Sequence, residues 1–137
     1  MADASPPTTV ELIWSGDVRF GATAGKNAMV VDGDGIAGPS PVQVAAIGLA
    51  GCMGADVAAI LEKGRQPLTG LRVSFNGERA ADPPRRFTRI TMHFHVSGAV
   101  APEAVERAIT LSRDTYCSVW HSMRQDIEFV TAFDIRP

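Results

Sequence analysis

The sequence predicts an α+β fold in which helices lie on one side of a largely antiparallel sheet. Two blocks of alternating apolar and polar residues predict strands, and one long apolar segment between them predicts a central helix. A final alternating stretch follows two shorter helical segments, so the expected element order is βββ-α-ββ-αα-β. At 137 residues, the chain is long enough to bury one hydrophobic core.

The first block of predicted strands occupies residues 9–31, where apolar side chains alternate with polar neighbours. It follows a lead at residues 1–8 that is expected to be disordered. The glycines and prolines of residues 33–41 predict a loop between this block and the central helix. Residues 9–137 are therefore expected to form a single domain.

The central helix has clear start and stop signals. Ser40 as the N-cap, Pro41 as the first helical residue and Gln43 as the third match a capping box. At the other end, Lys63 falls in the last turn and Gly64 follows it directly. These signals predict a helix from Pro41 to Lys63.

This helix is predicted to be buried on all sides, because between Val42 and Leu61 only Gln43 and Asp56 are polar. Asp56, the glycines and the high alanine content favour a core helix over a membrane span. One sheet can cover only one side of such a helix, so a second copy of the chain is expected to cover the other. The sequence thus predicts an obligate homodimer, with close helix contacts through Gly48, Gly51 and Ala55.

Downstream, the alternating segments 71–76 and 89–96 predict a hairpin with one buried face. Pro102 begins a helix, and residues 127–135 are expected to form the closing strand. The predicted inner face of that helix consists of Val105, Ala108, Ile109 and Ser112.

Composition excludes some functions. The net charge is −2, and the only basic cluster is Arg85, Arg86 and Arg89, which is more typical of a solvated hairpin edge than of a nucleic-acid site. The N-terminus lacks the features of a signal peptide, and two cysteines are too few for a disulfide scaffold, so a cytoplasmic location is expected.

The two cysteines, Cys52 and Cys117, are either inert core residues or redox groups. Asp56 lies one helical turn after Cys52, and a buried carboxylate there predicts a cationic partner that would also favour the thiolate. Cys117 is predicted to lie two or three residues inside a short helix capped by Asp114 or Thr115, which would lower its pKa. The alternative is a thiol packed on the face shared with Trp120.

Other motifs are weak. His93 and His95 share one strand face, but no accompanying carboxylate or cysteine spacing supports a metal site, so a solvated face is expected. The chain has no G-x-S-x-G elbow and no complete G-x-G-x-x-G motif. Neither a cofactor nor a bound metal is expected.

Three stretches of the chain resemble the OsmC/Ohr family, and most closely its YhfA-like branch. A proline eleven residues before a helical cysteine, together with a distal Tyr-Cys-Ser, is the specific part of the match. The stretches are SPVQVAAIGLAGCMGADVAAILEKGRQPL, RVSFNGERAADPPRRFTRITMHFHVSG and AVERAITLSRDTYCSVWHSM.

The resemblance implies an intertwined α+β homodimer, with antiparallel sheets wrapped around a long buried helix, that reduces organic hydroperoxides. It implies that Cys52 is the peroxidatic cysteine and Cys117 the resolving one, with a sulfenic acid and then a disulfide as intermediates. An external dithiol would complete the cycle. On composition, no nucleic-acid or membrane partner is expected, and no cofactor is expected.

Two positions depart from the family pattern. Lys26 stands where the family peroxidases have an arginine, and Val42 stands where they have a glutamate after the proline. Lys26 is therefore the expected catalytic cation, with Arg19 as a weaker candidate. The alternatives to a peroxidase are a dimer that senses redox state or binds a hydrophobic ligand without turnover, and a scaffold in which both cysteines are merely packed.

Overall fold

The computed structural model describes residues 5–137, and the predicted N-terminal lead falls partly outside the described residues. Residues 5–10 have no regular secondary structure. The chain divides into two compact units, one ending at Ala45 and the other comprising Ala46–Pro137. Each unit contains one three-stranded sheet.

The N-terminal unit is an antiparallel meander of β1 (Glu11–Gly16), β2 (Arg19–Ala24) and β3 (Asn27–Asp32), which confirms the first predicted block of strands. The loop after β3 is organised by the buried carboxylate of Asp32. This group accepts hydrogen bonds from the backbone N–H groups of Asp34, Ile36 and Ala37 at 2.9–3.3 Å. These bonds hold the pKa of Asp32 below its ordinary value.

Helix α1 (Pro41–Lys63) has the predicted bounds. The capping box is formed in both directions. The Ser40 backbone N–H donates to Gln43 Oε1 at 2.9 Å, and the Gln43 backbone N–H donates to Ser40 Oγ at 3.2 Å. Each bond satisfies an amide that the helix itself leaves without a partner, so the local sequence is sufficient to define this end.

The prediction that α1 is buried on all sides is not met within one chain. Its fully buried residues form a single stripe at four-residue spacing: Leu49, Met53, Val57 and Leu61. Gly51 and Ala55 are exposed on another face, and a Cβ added at Gly51 would meet nothing within 4 Å. Although α1 is long and apolar enough to cross a membrane, its buried stripe packs into the protein core.

The second unit contains β4 (Gly70–Arg79), β5 (Phe87–Ser97) and β6 (Glu128–Arg136) in that order across the sheet. Strands β4 and β5 form the predicted antiparallel hairpin, but β6 pairs with β5 in parallel. A parallel neighbour requires a crossover, and the helical segment between β5 and β6 provides it.

That crossover consists of α2 (Pro102–Leu111), a π-helical turn (Ser112–Tyr116) and α3 (Ser118–His121). The predicted inner face of α2 is confirmed, since Val105, Ala108 and Ile109 are buried, and Ser112 is buried at the start of the π-helical turn. The predicted cap of the second short helix is wrong, because the N-cap is Cys117 itself rather than Asp114 or Thr115. The π-helical turn extends the chain beyond α2 and delays the start of α3.

Candidate functional site: two neighbouring thiols

Cys52 lies on α1, beside the buried Met53, and its side chain is half-buried against the core. Two residues later, α1 approaches the sheet closely: a Cβ added at Gly54 would lie 3.3 Å from Val73 Cγ2. Cys52 is a free thiol, and its position on α1 leaves part of its surface open to solvent.

Cys117 lies in the core, fully buried, between the π-helical turn and α3. Its Sγ accepts a hydrogen bond from the Trp120 backbone N–H at 3.3 Å, and its own N–H donates to the Ser112 carbonyl at 2.8 Å. These two contacts fix the thiol at the start of α3. It is a free thiol as well.

Burial raises the pKa of the Cys117 thiol from 9.0 to about 11. The hydrogen bond from Trp120 acts in the opposite direction, and the neighbouring Cys52 side chain raises the pKa further. The prediction of a lowered pKa is therefore wrong, because α3 is a single short turn and desolvation outweighs its amides. The influence of Cys52 shows that the fold brings the two cysteines together, although 65 positions separate them in the sequence.

Asp56 does not have the predicted cationic partner within its own unit. Ser112 Oγ donates to Asp56 Oδ2 at 2.8 Å, and this buried hydroxyl replaces the expected arginine or lysine. Ser112 also accepts the Cys117 N–H through its carbonyl, so it connects α1 to the segment that carries the second thiol. The sequence predicts that Ser112 is buried. The only feature of the sequence that points to its contact with Asp56 is a polar side chain on an otherwise apolar face.

A cavity of about 670 Å³ opens next to Asp56. Lys63 and Arg107 line it, so cationic side chains are nearby without pairing with the carboxylate at salt-bridge distance. Ile60, Leu111 and Tyr116 supply apolar and aromatic surface. The cavity is therefore amphipathic and borders both α1 and the π-helical turn.

Lys26 lies in the turn between β2 and β3, in the N-terminal unit, and its side chain is exposed. Arg19, the other candidate cation, forms an ion pair with Asp17 at 3.4 Å. Of the three predicted site residues, the structure therefore brings Cys52 and Cys117 together. The catalytic role of Lys26 stays a prediction.

One group of side chains among residues 5–137 has the composition of a metal site: His93, His95 and Asp134. The expectation that no carboxylate accompanies the two histidines is wrong. It failed because β6 lies parallel to β5 and pairs Asp134 with His95, a non-local contact that spacing within one strand does not reveal.

The fold and the two thiols together define an α+β protein with a neighbouring pair of free cysteines, one half-buried and one in the core. The chain matches the family model of OsmC-like proteins over residues 32–132. Protein YhfA of Escherichia coli (strain K12) is 34% identical over 125 residues, which span 89% of this chain and 93% of that protein. The chain belongs to the OsmC-like protein family, as the sequence resemblance predicted.

Solved structures confirm the fold. A hypothetical protein from Aquifex aeolicus VF5 aligns with a TM-score of 0.90 at 23% identity, covering 96% of this chain and 98% of that one. An organic hydroperoxide resistance protein, OsmC, from Legionella pneumophila aligns with a TM-score of 0.71 at 15% identity, covering 96% and 99% respectively. These alignments and the family match together establish the OsmC-like fold of the chain.

The raised pKa of Cys117 predicts a loss of stability in alkaline solution. The folded-state pKa of about 11 lies above the ordinary 9.0, so the folded chain holds this proton more tightly than the unfolded chain. Its contribution to stability is complete below pH 9 and is lost as the pH rises through 11. Urea unfolding under reducing conditions measures this decline.

Cys117→Ser is the matched control, because a hydroxyl keeps an acceptor at the N-cap but does not titrate in this range. The wild type is expected to lose more stability across this interval than the variant. If the stability of the two proteins depended equally on pH, the assignment of the raised pKa to Cys117 would be contradicted.

Proposed function

We propose that this protein is a thiol-dependent peroxidase that reduces organic hydroperoxides through Cys52 and Cys117. The observation that carries the proposal is the proximity of a half-buried thiol to a fully buried one inside an OsmC-like fold. The organic hydroperoxide resistance of the Legionella relative supports the choice of substrate class. We place the reaction in the cytoplasm, where a reducing environment keeps both thiols available.

In the first step, the Cys52 thiolate attacks one oxygen of the hydroperoxide. A sulfur–oxygen bond forms and the peroxide O–O bond breaks, so Cys52 becomes a sulfenic acid and the substrate leaves as an alcohol after taking up a proton. Cys52 is the better nucleophile of the pair because it is the one that solvent reaches.

In the second step, the Cys117 sulfur displaces hydroxide from the Cys52 sulfenic acid. A disulfide forms, and water leaves with the proton of the second thiol. The raised pKa of Cys117 fits this role, because a protonated buried thiol does not compete for the peroxide. An external dithiol then reduces the disulfide by exchange and restores both thiols.

We further propose that the active protein is a homodimer. Within one chain, α1 exposes Gly51, Ala55 and the large apolar side chain of Ile47, which is 58% exposed. The N-terminal sheet also exposes apolar side chains, among them Ile13 and Trp14. So much uncovered apolar surface is typical of a subunit interface.

Lys26 is the proposed donor to the departing oxygen, acting on Cys52 of the partner chain. A cation there would stabilise the negative charge that develops when the O–O bond breaks. Lysine supplies that charge as a single point, without the paired hydrogen bonds of arginine. We therefore propose a slower reaction than in relatives that have arginine.

A second candidate function is the binding of an apolar ligand without turnover. The observation in its favour is a cavity of about 370 Å³ within the N-terminal unit, with a lining that includes Val10, Leu12 and Met29. Repeated consumption of hydroperoxide with a dithiol present distinguishes the two candidates, since a ligand-binding protein consumes at most its own thiol equivalents.

The first test removes each thiol in turn. Cys52→Ser is expected to abolish consumption of cumene hydroperoxide in the presence of dithiothreitol, because the remaining thiol, Cys117, is buried and protonated. Without added dithiol, Cys117→Ser is expected to complete one oxidation and then stall, with Cys52 advancing to sulfinic acid. Mass spectrometry of the oxidised variants measures the outcome.

Ser118→Ala is the control, since it alters an exposed side chain directly beside Cys117 and should leave turnover unchanged. Turnover by Cys52→Ser at the wild-type rate would refute the peroxidase proposal. Over-oxidation of Cys52 in the wild type to the same extent as in Cys117→Ser, without added dithiol, would refute the assigned resolving role.

The second test addresses Lys26 and the dimer together. Lys26→Ala is expected to lower the rate by about one to two orders of magnitude, the scale of losing one electrostatic donor, while Lys26→Arg should keep the rate. Mixed dimers of Lys26→Ala chains and Cys52→Ser chains should regain activity, because each contains one Cys52 opposite one Lys26 from the other chain.

Sedimentation of the same samples verifies that they are dimeric. Unchanged rates in Lys26→Ala would exclude the lysine from catalysis. A slow Lys26→Ala protein that mixing does not rescue would contradict a donor supplied by the partner chain.

A further inference from the structure

The outer face of the C-terminal sheet carries two histidines at alternate positions of β5. Residues 90, 92, 94 and 96 of this strand are buried in the core, so His93 and His95 lie on the opposite face. The parallel pairing of β6 adds Asp134 directly beside His95. Three side chains with metal-binding chemistry therefore meet on a rigid sheet, on the face away from Cys117.

The potential ligand atoms of these side chains converge. Asp134 Oδ1 lies 2.6 Å from His93 Nε2 and 2.9 Å from His95 Nδ1. The two imidazole rings are stacked, with centroids 4.3 Å apart and an interplanar angle of 27°. One ligand atom from each residue falls within 4.8 Å of the others.

This spacing is close to that of a metal centre. Ligands at about 2.0–2.2 Å from a tetrahedral zinc ion lie about 3.3–3.6 Å from one another. The carboxylate oxygen would have to move away from each nitrogen by at most about an ångström to admit an ion. The side chains are each 29–41% exposed, so an ion can enter from solvent without unfolding the sheet.

A further contact supports the orientation of one imidazole. Ser74 Oγ on the neighbouring strand lies 3.1 Å from His95 Nε2, and Arg72 Nη1 donates to the same hydroxyl at 3.2 Å. With a metal on Nδ1, the proton of His95 resides on Nε2 and can be donated to Ser74 Oγ. Such a hydrogen bond is what usually fixes a metal-bound histidine.

We propose that His93 Nε2, His95 Nδ1 and Asp134 Oδ1 form a three-ligand site for a divalent transition metal ion of the zinc, cobalt and nickel class. Two imidazoles and one carboxylate favour these ions over Mg²⁺ and Ca²⁺, which prefer oxygen ligands alone. Three protein ligands leave at least one coordination position open.

The surroundings indicate what fills the open position. His95 and Asp134 line a cavity of about 210 Å³ together with Arg72 and Arg136. Two guanidinium groups beside a metal ion favour an anionic ligand, such as hydroxide or a small carboxylate, over a second cation. The site therefore binds a metal ion and an anion together.

The test uses the untagged full chain carrying Cys52→Ser and Cys117→Ser, so that no thiol can bind the metal. Titration calorimetry with Zn²⁺ is expected to show one ion per chain, and Mg²⁺ is expected to give no binding heat. Co²⁺ should produce a visible absorption spectrum without the intense thiolate band in the near ultraviolet.

In that background, His93→Gln and Asp134→Asn are each expected to abolish this binding, and Ser74→Ala to weaken it about tenfold. His121→Gln is the matched control, because His121 is exposed on α3 and lies 2.9 Å from the Arg113 carbonyl. Circular dichroism verifies the fold of each variant, and having two ligand variants keeps the test decisive if one of them unfolds.

Absence of stoichiometric Zn²⁺ binding in the thiol-free protein would overturn the proposal. Unchanged affinity in both folded ligand variants, or an equal loss in His121→Gln, would overturn it as well. Because every measurement is made without the cysteines, the outcome is independent of the peroxidase activity.

Discussion

The packing of one stripe of α1 into the core determines the rest of the candidate site. Leu49, Met53, Val57 and Leu61 are all buried, and together they fix the rotation of the helix about its axis. That rotation sets where Cys52 lies relative to the segment that carries Cys117. Truncating a large buried residue of this kind costs about 2–5 kcal/mol, more than the roughly 1 kcal/mol of a helix cap, so core packing rather than capping holds the thiols in place.

The environment of the thiols follows from this arrangement. Cys117 gains a raised pKa because the core removes water from it, whereas Cys52 on the rim of the core keeps contact with solvent. A hydrogen bond from the buried Ser112 hydroxyl to the half-buried Asp56 carboxylate joins the π-helical turn to α1, without an ion pair. The fold thus separates a half-buried thiol from a fully buried one. In the proposed reaction, the first meets the substrate and the second resolves its sulfenic acid.

The parts of the structure that depend on local contacts were predictable from the sequence. Ser40 and Gln43 specify the start of α1 by contacts within four residues, so its bounds were predictable. The features that depend on contacts between distant segments were not predictable. The parallel pairing that brings Asp134 to His95 depends on tertiary packing of the crossover, as does the burial that reverses the expected pKa shift of Cys117. Only the family resemblance predicted that the two thiols act as a pair, because their separation in the sequence does not indicate that they are close.

The most direct test of this account is the covalent state of wild-type protein after one equivalent of an organic hydroperoxide. Intact mass and peptide mapping after alkylation would reveal how the thiols have reacted. The account predicts the loss of two hydrogen atoms per chain and a single linked peptide containing Cys52 and Cys117. Protein in which both thiols remain free to alkylate, or in which Cys52 is oxidised while Cys117 stays unlinked, would contradict it.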